Sequence, residues 1–257
     1  MRNLPAAVGS LLVVNALVFL VALLVPQWDG RMTAWFASWF PRHPNAAWWQ
    51  VVTYMFMHGS LAHIFFNMFG LLSFGPHLER QWGTGRFVVF YFLCGIGACL
   101  TQLGVSWGEF QSIHSRLIES GLTAPAIEQM LQSGNYVGPR GDPSIRAAMV
   151  ELYGIYSAPM VGASGAIYGI LVAFGLLYPN AKLALLFVPV PVAAKYVIPI
   201  ILLLDLFSGV TGFSLFGGGI AHFAHLGGAA IGFLLMWYWR SRARRAAASG
   251  EGLWRTG

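Results

Sequence analysis

The sequence predicts an all-α polytopic membrane protein: one bundle of six transmembrane helices, with an external helical insert between the third and fourth. Three observations lead there. Charged residues make up 9% and hydrophobic residues 57% of the 257 positions, whereas soluble domains carry about 25% charged residues. Mean hydropathy is +0.64, and the apolar residues fall into runs of the roughly 20 residues needed to cross about 30 Å of hydrocarbon. The fifteen Lys and Arg sit in short clusters between those runs, as the positive-inside rule requires. They form no continuous basic face, so the net charge of +6 marks a lipid bilayer as partner and gives no sign of nucleic acid.

In chain order, the first span is expected at 8–25. It lacks an A-x-A cleavage site and reads as an uncleaved helix, not a signal peptide. Residues 26–58, with Trp28, Trp35, Trp39, Trp48 and Trp49, read as a first loop lying in the outer interface, where tryptophans concentrate. The second and third spans are expected at 59–78 and 86–106. The third holds Cys94 and Cys99, five apart in an apolar run, which read as buried, reduced structural residues. The fourth span, 160–178, is closed by Pro179. Pro189 and Pro191 make the connector that begins at Lys182 an interfacial loop. The fifth span, 195–213, opens on the anchor pair Lys195 and Tyr196, and the sixth covers 219–238. A basic cytoplasmic tail, 239–257, completes a single membrane domain, 1–257.

The insert, 107–159, holds five of the nine acids. Phe110, Ile113, Leu117 and Ile118 share one helical face, and Asp142-Pro143 reads as N-cap and first position of a further helix bearing Ile145, Met149, Leu152 and Tyr156. With both termini inside, ten of the fifteen basic residues are cytoplasmic: Arg2, Arg80, Arg86, Lys182, Lys195, Arg240, Arg242, Arg244, Arg245 and Arg255. Arg31, Arg42, Arg116, Arg140 and Arg146 lie outside. That bias sets the orientation.

Spans two, four and six then all run inward, so residues near their starts share one depth near the outer face. Those starts hold His63 and Asn67, Ser164, and His222 and His225. Polar groups in hydrocarbon are costly unless they line a cavity or pair with one another, and five at one level point to a site. Gly165, Gly169 and Ala173 on span four, and Ala224, Gly228 and Gly232 on span six, form small-residue ridges that let two helices approach closely. If the ridges face each other, the Ser164 hydroxyl meets the His225 imidazole, which can act as its base. His63 and Asn67, four apart on one helical face, are neutral donors suited to a developing oxyanion.

GASGAIYG (162–169), HIFFN (63–67) and AHFAHLGG (221–228), with ERQWGTGRFVVFY (79–91) between spans two and three, resemble the signature elements of rhomboid intramembrane serine proteases. The resemblance implies a Ser-His dyad without cofactor or metal, and cleavage of transmembrane protein substrates near the outer membrane face. It makes Ser164 the nucleophile, His225 the base, and His63 and Asn67 oxyanion donors. Tyr168 packs against the His225 ring, and Gly162 and His222 support the site. The location it implies is a cell membrane, expected to be the bacterial inner membrane. Where the family often shows Trp-Arg in the first loop, this chain has Trp49-Gln50, so an ionic role is not expected there.

Three other readings compete. His58, His63, His222 and His225 are a candidate zinc set, against which stands the absence of HExxH. A non-proteolytic client-binding protein or a transporter is the non-enzyme alternative, although inactive relatives are expected to lose the serine or the histidine. Asp205, an acid inside span five, is either the third member of a triad with Ser164 and His225 or a structural hydrogen-bonding residue; the resemblance to a dyad family favours the second.

Overall fold

Helix α1, Ala6–Leu24, is followed directly by α2, Pro26–Phe36, whose Pro26 occupies the first turn, where its missing N–H costs nothing. A short α3, Gln50–Thr53, runs into a 3-10 turn at Tyr54–Phe56. Ser60 then caps α4, Leu61–Trp82, accepting a hydrogen bond from the His63 amide at 3.1 Å. Gly83, at φ +81°, ends α4 and turns the chain into α5, Thr84–Glu119. Beyond it lie α6, Ala124–Ser133; α7, Pro143–Ser157; α8, Ser164–Leu177; α9, Ala194–Thr211; and α10, His222–Ala248. These elements come from a computed structural model describing residues 4–135, 142–185, 188–213 and 221–248. The expected start of the sixth span at 219–220, and the positions of Arg2, Arg140 and Arg255, lie outside the described residues.

Three helices, α1, α5 and α9, are long and apolar enough to cross a membrane. The segment Gln50–Phe56 with α4, bent by 96°, makes a fourth when taken as one span. Their outward faces expose Leu17, Phe65, Phe69, Leu203 and Phe207, residues that lipid solvates and water does not. With 14 residues, α8 is only about 21 Å long, too short to cross alone. It is instead the centre of the bundle: Ala166, Ile167, Ile170 and Ala173 are buried among Leu71 of α4, Tyr91 and Cys94 of α5 and Met236 of α10.

The small-residue ridges of α8 and α10 face each other. A Cβ on Gly228 would overlap the Gly165 carbonyl, and one on Gly232 would stand within 2.7 Å of Gly169 Cα. No side chain fits between the two backbones, so van der Waals contact brings them together. At the opposite end from the Ser60 cap of α4, buried Glu79 accepts from the Ala7 amide at 2.9 Å and the Val8 amide at 2.8 Å, and from the Thr84 hydroxyl at 2.8 Å. A carboxylate at the first turn of α1 satisfies amides that have no intrahelical partner. It ties α1 to the α4–α5 turn.

A second, smaller core lies away from this bundle. Phe110, Ile113 and Leu117 of α5 pack with Ile127 of α6, Leu152 of α7 and Phe40 of the first loop. Span three therefore continues unbroken into the insert as one helix of 36 residues, about 54 Å long. Asp142 caps α7 by accepting from Ser144 N at 2.8 Å, and Met149, Leu152 and Tyr156 face inward.

Four local expectations differ from the structure. Ile118, grouped with the buried face, is 40% exposed, because it follows Leu117 by 100° and leaves the apolar stripe. The first loop contains α2, whose last turn receives two indole N–H groups, Trp39 Nε1 donating to Thr33 O at 3.1 Å and Trp49 Nε1 to Trp35 O at 2.8 Å. Within the connector, Lys182–Leu185 (β1) and Val188–Ala193 (β2) pair antiparallel, Lys182 with Ala193 and Leu183 with Val192. The β-branched valines alternate through β2 and favour an extended hairpin over an irregular loop. Finally, α8 begins at Ser164 and not at 160, for the reason that follows.

Candidate active site

The backbone before Ser164 is held extended by partners from elsewhere. Met160 pairs with Ser38 through two hydrogen bonds, 2.9 and 2.8 Å, and the Gly162 amide donates to Tyr54 O at 2.9 Å. Gly162 has φ +120°, a conformation side chains rarely adopt, and a Cβ there would lie 2.6 Å from His63 Nε2. The helix can start only after this point. Ile167 N–H makes the first intrahelical bond, to Ala163 O, so the amides of Ser164 and Gly165 belong to the set that a helix N-terminus leaves without intrahelical acceptors. Ser164 is thus the first residue of α8, at the positive end of the helix dipole.

Across the glycine ridge, His225 Nε2 lies 2.8 Å from Ser164 Oγ. Tyr168, one turn further along α8, stacks on the His225 ring with centroids 4.2 Å apart and planes 14° from parallel. Its hydroxyl donates to Asp205 Oδ2. The other carboxylate oxygen, Oδ1, is 3.2 Å from His225 Nδ1 and 2.6 Å from His222 Nδ1. Asp205 is buried, and a buried carboxylate requires hydrogen-bond donors. Here three side chains supply them, one from α8 and two from α10.

The expected oxyanion pair is placed less uniformly. His63 packs against Gly162, two residues before Ser164, and its ring meets His58 edge to face at 5.0 Å. Asn67 Nδ2 donates to its own helix, at His63 O, 2.9 Å away, while its Oδ1 is buried with no hydrogen-bond partner among the described residues. A primary amide has two N–H groups, so one donor of Asn67 is not taken up by that bond. The four histidines weighed as a zinc set do not gather. Among the described residues, the three-ligand group is Asp205, His222 and His225, with ligand atoms within 4.8 Å of one another. Both histidines of that group hydrogen-bond the carboxylate through Nδ1.

Two contributions were not read from the sequence. Gln50, standing where an arginine was discounted, is buried and organises the first loop: Oε1 accepts from the Ala47 and Trp39 amides at 3.1 and 3.4 Å, and Nε2 donates to Asn45 O at 2.7 Å. An amide offers both donors and acceptors, so one side chain ties several backbone groups of this loop together. The contact of Asp205 with His225 belongs to one of the two readings the sequence leaves open, whereas its contact with His222 is not among them. Depth carried the signal: Asp205 stands less than two turns before the end of α9, and His222 opens α10.

A family profile described as Rhomboid domain matches residues 45–110 and 136–242, well over half of the chain. Rhomboid protein 1, mitochondrial, of Saccharomyces cerevisiae is 27% identical over 201 residues, 76% of this chain and 44% of that protein. Rhomboid-like protease 3 of Toxoplasma gondii is 36% identical over 72 residues, 28% of this chain and 27% of that protein. Inactive RHOMBOID-like protein 8 of Arabidopsis thaliana is 31% identical over 99 residues, 38% of this chain and 28% of that protein. The chain thus spans less than half the length of each of these relatives. The matched segments take in the first-loop turn, α4, most of α5 and everything from α7 into α10, so the Ser164–His225 contact lies wholly within them. The chain is a multi-pass membrane protein and belongs to the rhomboid family.

Proposed function

We propose that the protein is an intramembrane serine endopeptidase that cuts transmembrane segments of other membrane proteins near the outer membrane face. The observation that carries this reading is the 2.8 Å contact between Ser164 Oγ and His225 Nε2 at the N-terminus of α8, in a chain of the rhomboid family. His225 Nε2 takes the Ser164 proton as Oγ bonds to the scissile carbonyl carbon. The same proton passes to the departing amine as the C–N bond breaks, leaving an acyl-serine. Water, deprotonated by His225, then attacks the ester carbonyl and returns the serine. The tetrahedral oxygen formed in each half gains negative charge beside the first amides of α8, with His63 and the second N–H of Asn67 as further donors. This sequence calls for no cofactor and no metal.

Six spans with both termini on the arginine-rich side put Ser164 near the outer face, which is the topology this reading adopts. A substrate peptide inside a membrane helix has its carbonyls hydrogen-bonded along the helix, so it must unwind before Oγ can reach it. Substrates should therefore carry helix-weakening Gly or Pro near the cut, with a small residue before it to suit the glycine-lined site. The test is cleavage of a transmembrane reporter by the purified protein in lipid vesicles. Cleavage is expected from the native chain, with none from Ser164→Ala or His225→Ala and protection of a reporter whose Gly and Pro are replaced by Leu. Activity surviving in Ser164→Ala contradicts the serine mechanism. Binding without cleavage by the native chain would favour the client-binding alternative, consistent with a relative named as inactive.

A further inference from the structure

We propose that Asp205 is a positioning residue for His225, holding the imidazole in the tautomer and orientation that make Nε2 a base toward Ser164; this rests on the serine-protease reading above. An ionised carboxylate can only accept hydrogen bonds. His225 Nδ1, 3.2 Å from Asp205 Oδ1, must therefore carry the proton, which leaves Nε2 with its lone pair toward the Ser164 hydroxyl at 2.8 Å. The ring plane is fixed independently by Tyr168, which stacks on it at 4.2 Å and donates its hydroxyl to Asp205 Oδ2. His222 Nδ1, 2.6 Å from Oδ1, holds the carboxylate in place from one turn earlier on α10. The carboxylate thus locks α8, α9 and α10 together around one imidazole.

The consequence extends past geometry. When His225 takes the serine proton it becomes an imidazolium in a half-buried site, and such a charge is costly without a counter-ion. Asp205 supplies the counter-ion already oriented, the role an acid plays behind a catalytic histidine in soluble serine proteases. Proton accounting is unchanged: the proton moves from Ser164 Oγ to His225 Nε2 and on to the leaving amine, while Asp205 stays ionised and Nδ1 keeps its proton throughout. A purely structural Asp205, serving only to pin α9 to α10 through His222, would make no demand on the His225 tautomer.

Two measurements on the full chain in lipid nanodiscs decide between these. In the first, nitrogen NMR of ¹⁵N-histidine-labelled protein, with His225 assigned by its loss in His225→Ala, is expected to show Nδ1 protonated and Nε2 bare. A proton on Nε2, or Nδ1 bound to a metal ion, overturns the proposal. In the second, Asp205→Asn should lower kcat for a transmembrane reporter by on the order of 10²–10⁴ with KM unchanged; a folded variant that retains the native kcat overturns it. If Asp205→Asn does not fold, the tautomer in the native chain decides alone. If the native chain cleaves nothing, the protease reading fails, and the tautomer still reports on Asp205.

Discussion

At Gly162 the backbone stands at φ +120° with the His63 ring where a side chain would be, so the residue before the Ala163–Ser164 step has to be glycine. In the sequence that residue stands within GASGAIYG, where the resemblance makes it a support of the site. Its reason, the clash with a histidine almost a hundred positions earlier, has no local signature. His63 and Asn67 were readable as a pair because four-residue spacing puts them on one face of α4, yet the spacing does not say what each side chain bonds. Asn67 spends one donor on His63 O, while His63 faces the Gly162 turn. If both serve the oxyanion, each matters more in the transition state than in the bound substrate, so His63→Ala and Asn67→Ala should lower kcat more than they raise KM. Removal of one such donor costs on the order of 10²–10³ in kcat, about 2.7–4 kcal/mol. The lower end is expected for Asn67→Ala, because the α8 amides remain, and a larger loss for the double variant. Steady-state kinetics on a transmembrane reporter would check this, and full kcat in both folded single variants would return the pair to helix packing.

The contact between α8 and α10 is set by glycine more than by any apolar side chain. Gly228 meets the Gly165 carbonyl and Gly232 meets Gly169, which brings the helix bearing Ser164 against the one bearing His225. This was legible because small residues recur at four-residue intervals in both segments, and such ridges have one common use in membranes. Element ends were less legible. Hydropathy places a run but not its first hydrogen bond, so the start of α8 depended on Ser38, Tyr54 and His63 holding the preceding backbone extended. The hairpin of β1 and β2 was hidden by prolines that argue against helix without arguing for a strand. Gly228→Ala should push the two backbones apart, costing about 1–3 kcal/mol as overpacking does. Thermal unfolding in detergent should show the lowered midpoint, and reporter cleavage should fall with it because Ser164 and His225 ride on the separated helices. An unchanged midpoint and full cleavage would mean that the ridge contact does not hold the site.

For the molecule as a whole, the topology expected from the sequence suggests what no single motif does. Apolar runs and the arginine bias give each expected span a direction, and direction gives each polar residue an expected depth. His63, Ser164, His222 and His225 then fall at one level before any distance is known. The same reasoning reaches Asp205, whose place near the end of α9 matches the start of α10; the resemblance to a dyad family, which favours a structural role for this acid, carries no information about that placement. The second core of α5, α6 and α7 was legible as amphipathic helices, but its unbroken continuity with span three was not, since Trp107 and Gly108 give no reason for or against a break. The central claim is that Ser164 is a nucleophile made reactive by this assembly, and a serine-reactive fluorophosphonate probe addresses it without knowledge of any substrate. Incubated with the native chain in lipid vesicles, the probe should label one site, with labelling lost in Ser164→Ala and strongly reduced in His225→Ala at unchanged thermal stability. Labelling that persists in Ser164→Ala, or a folded native chain that takes up no label, would contradict it.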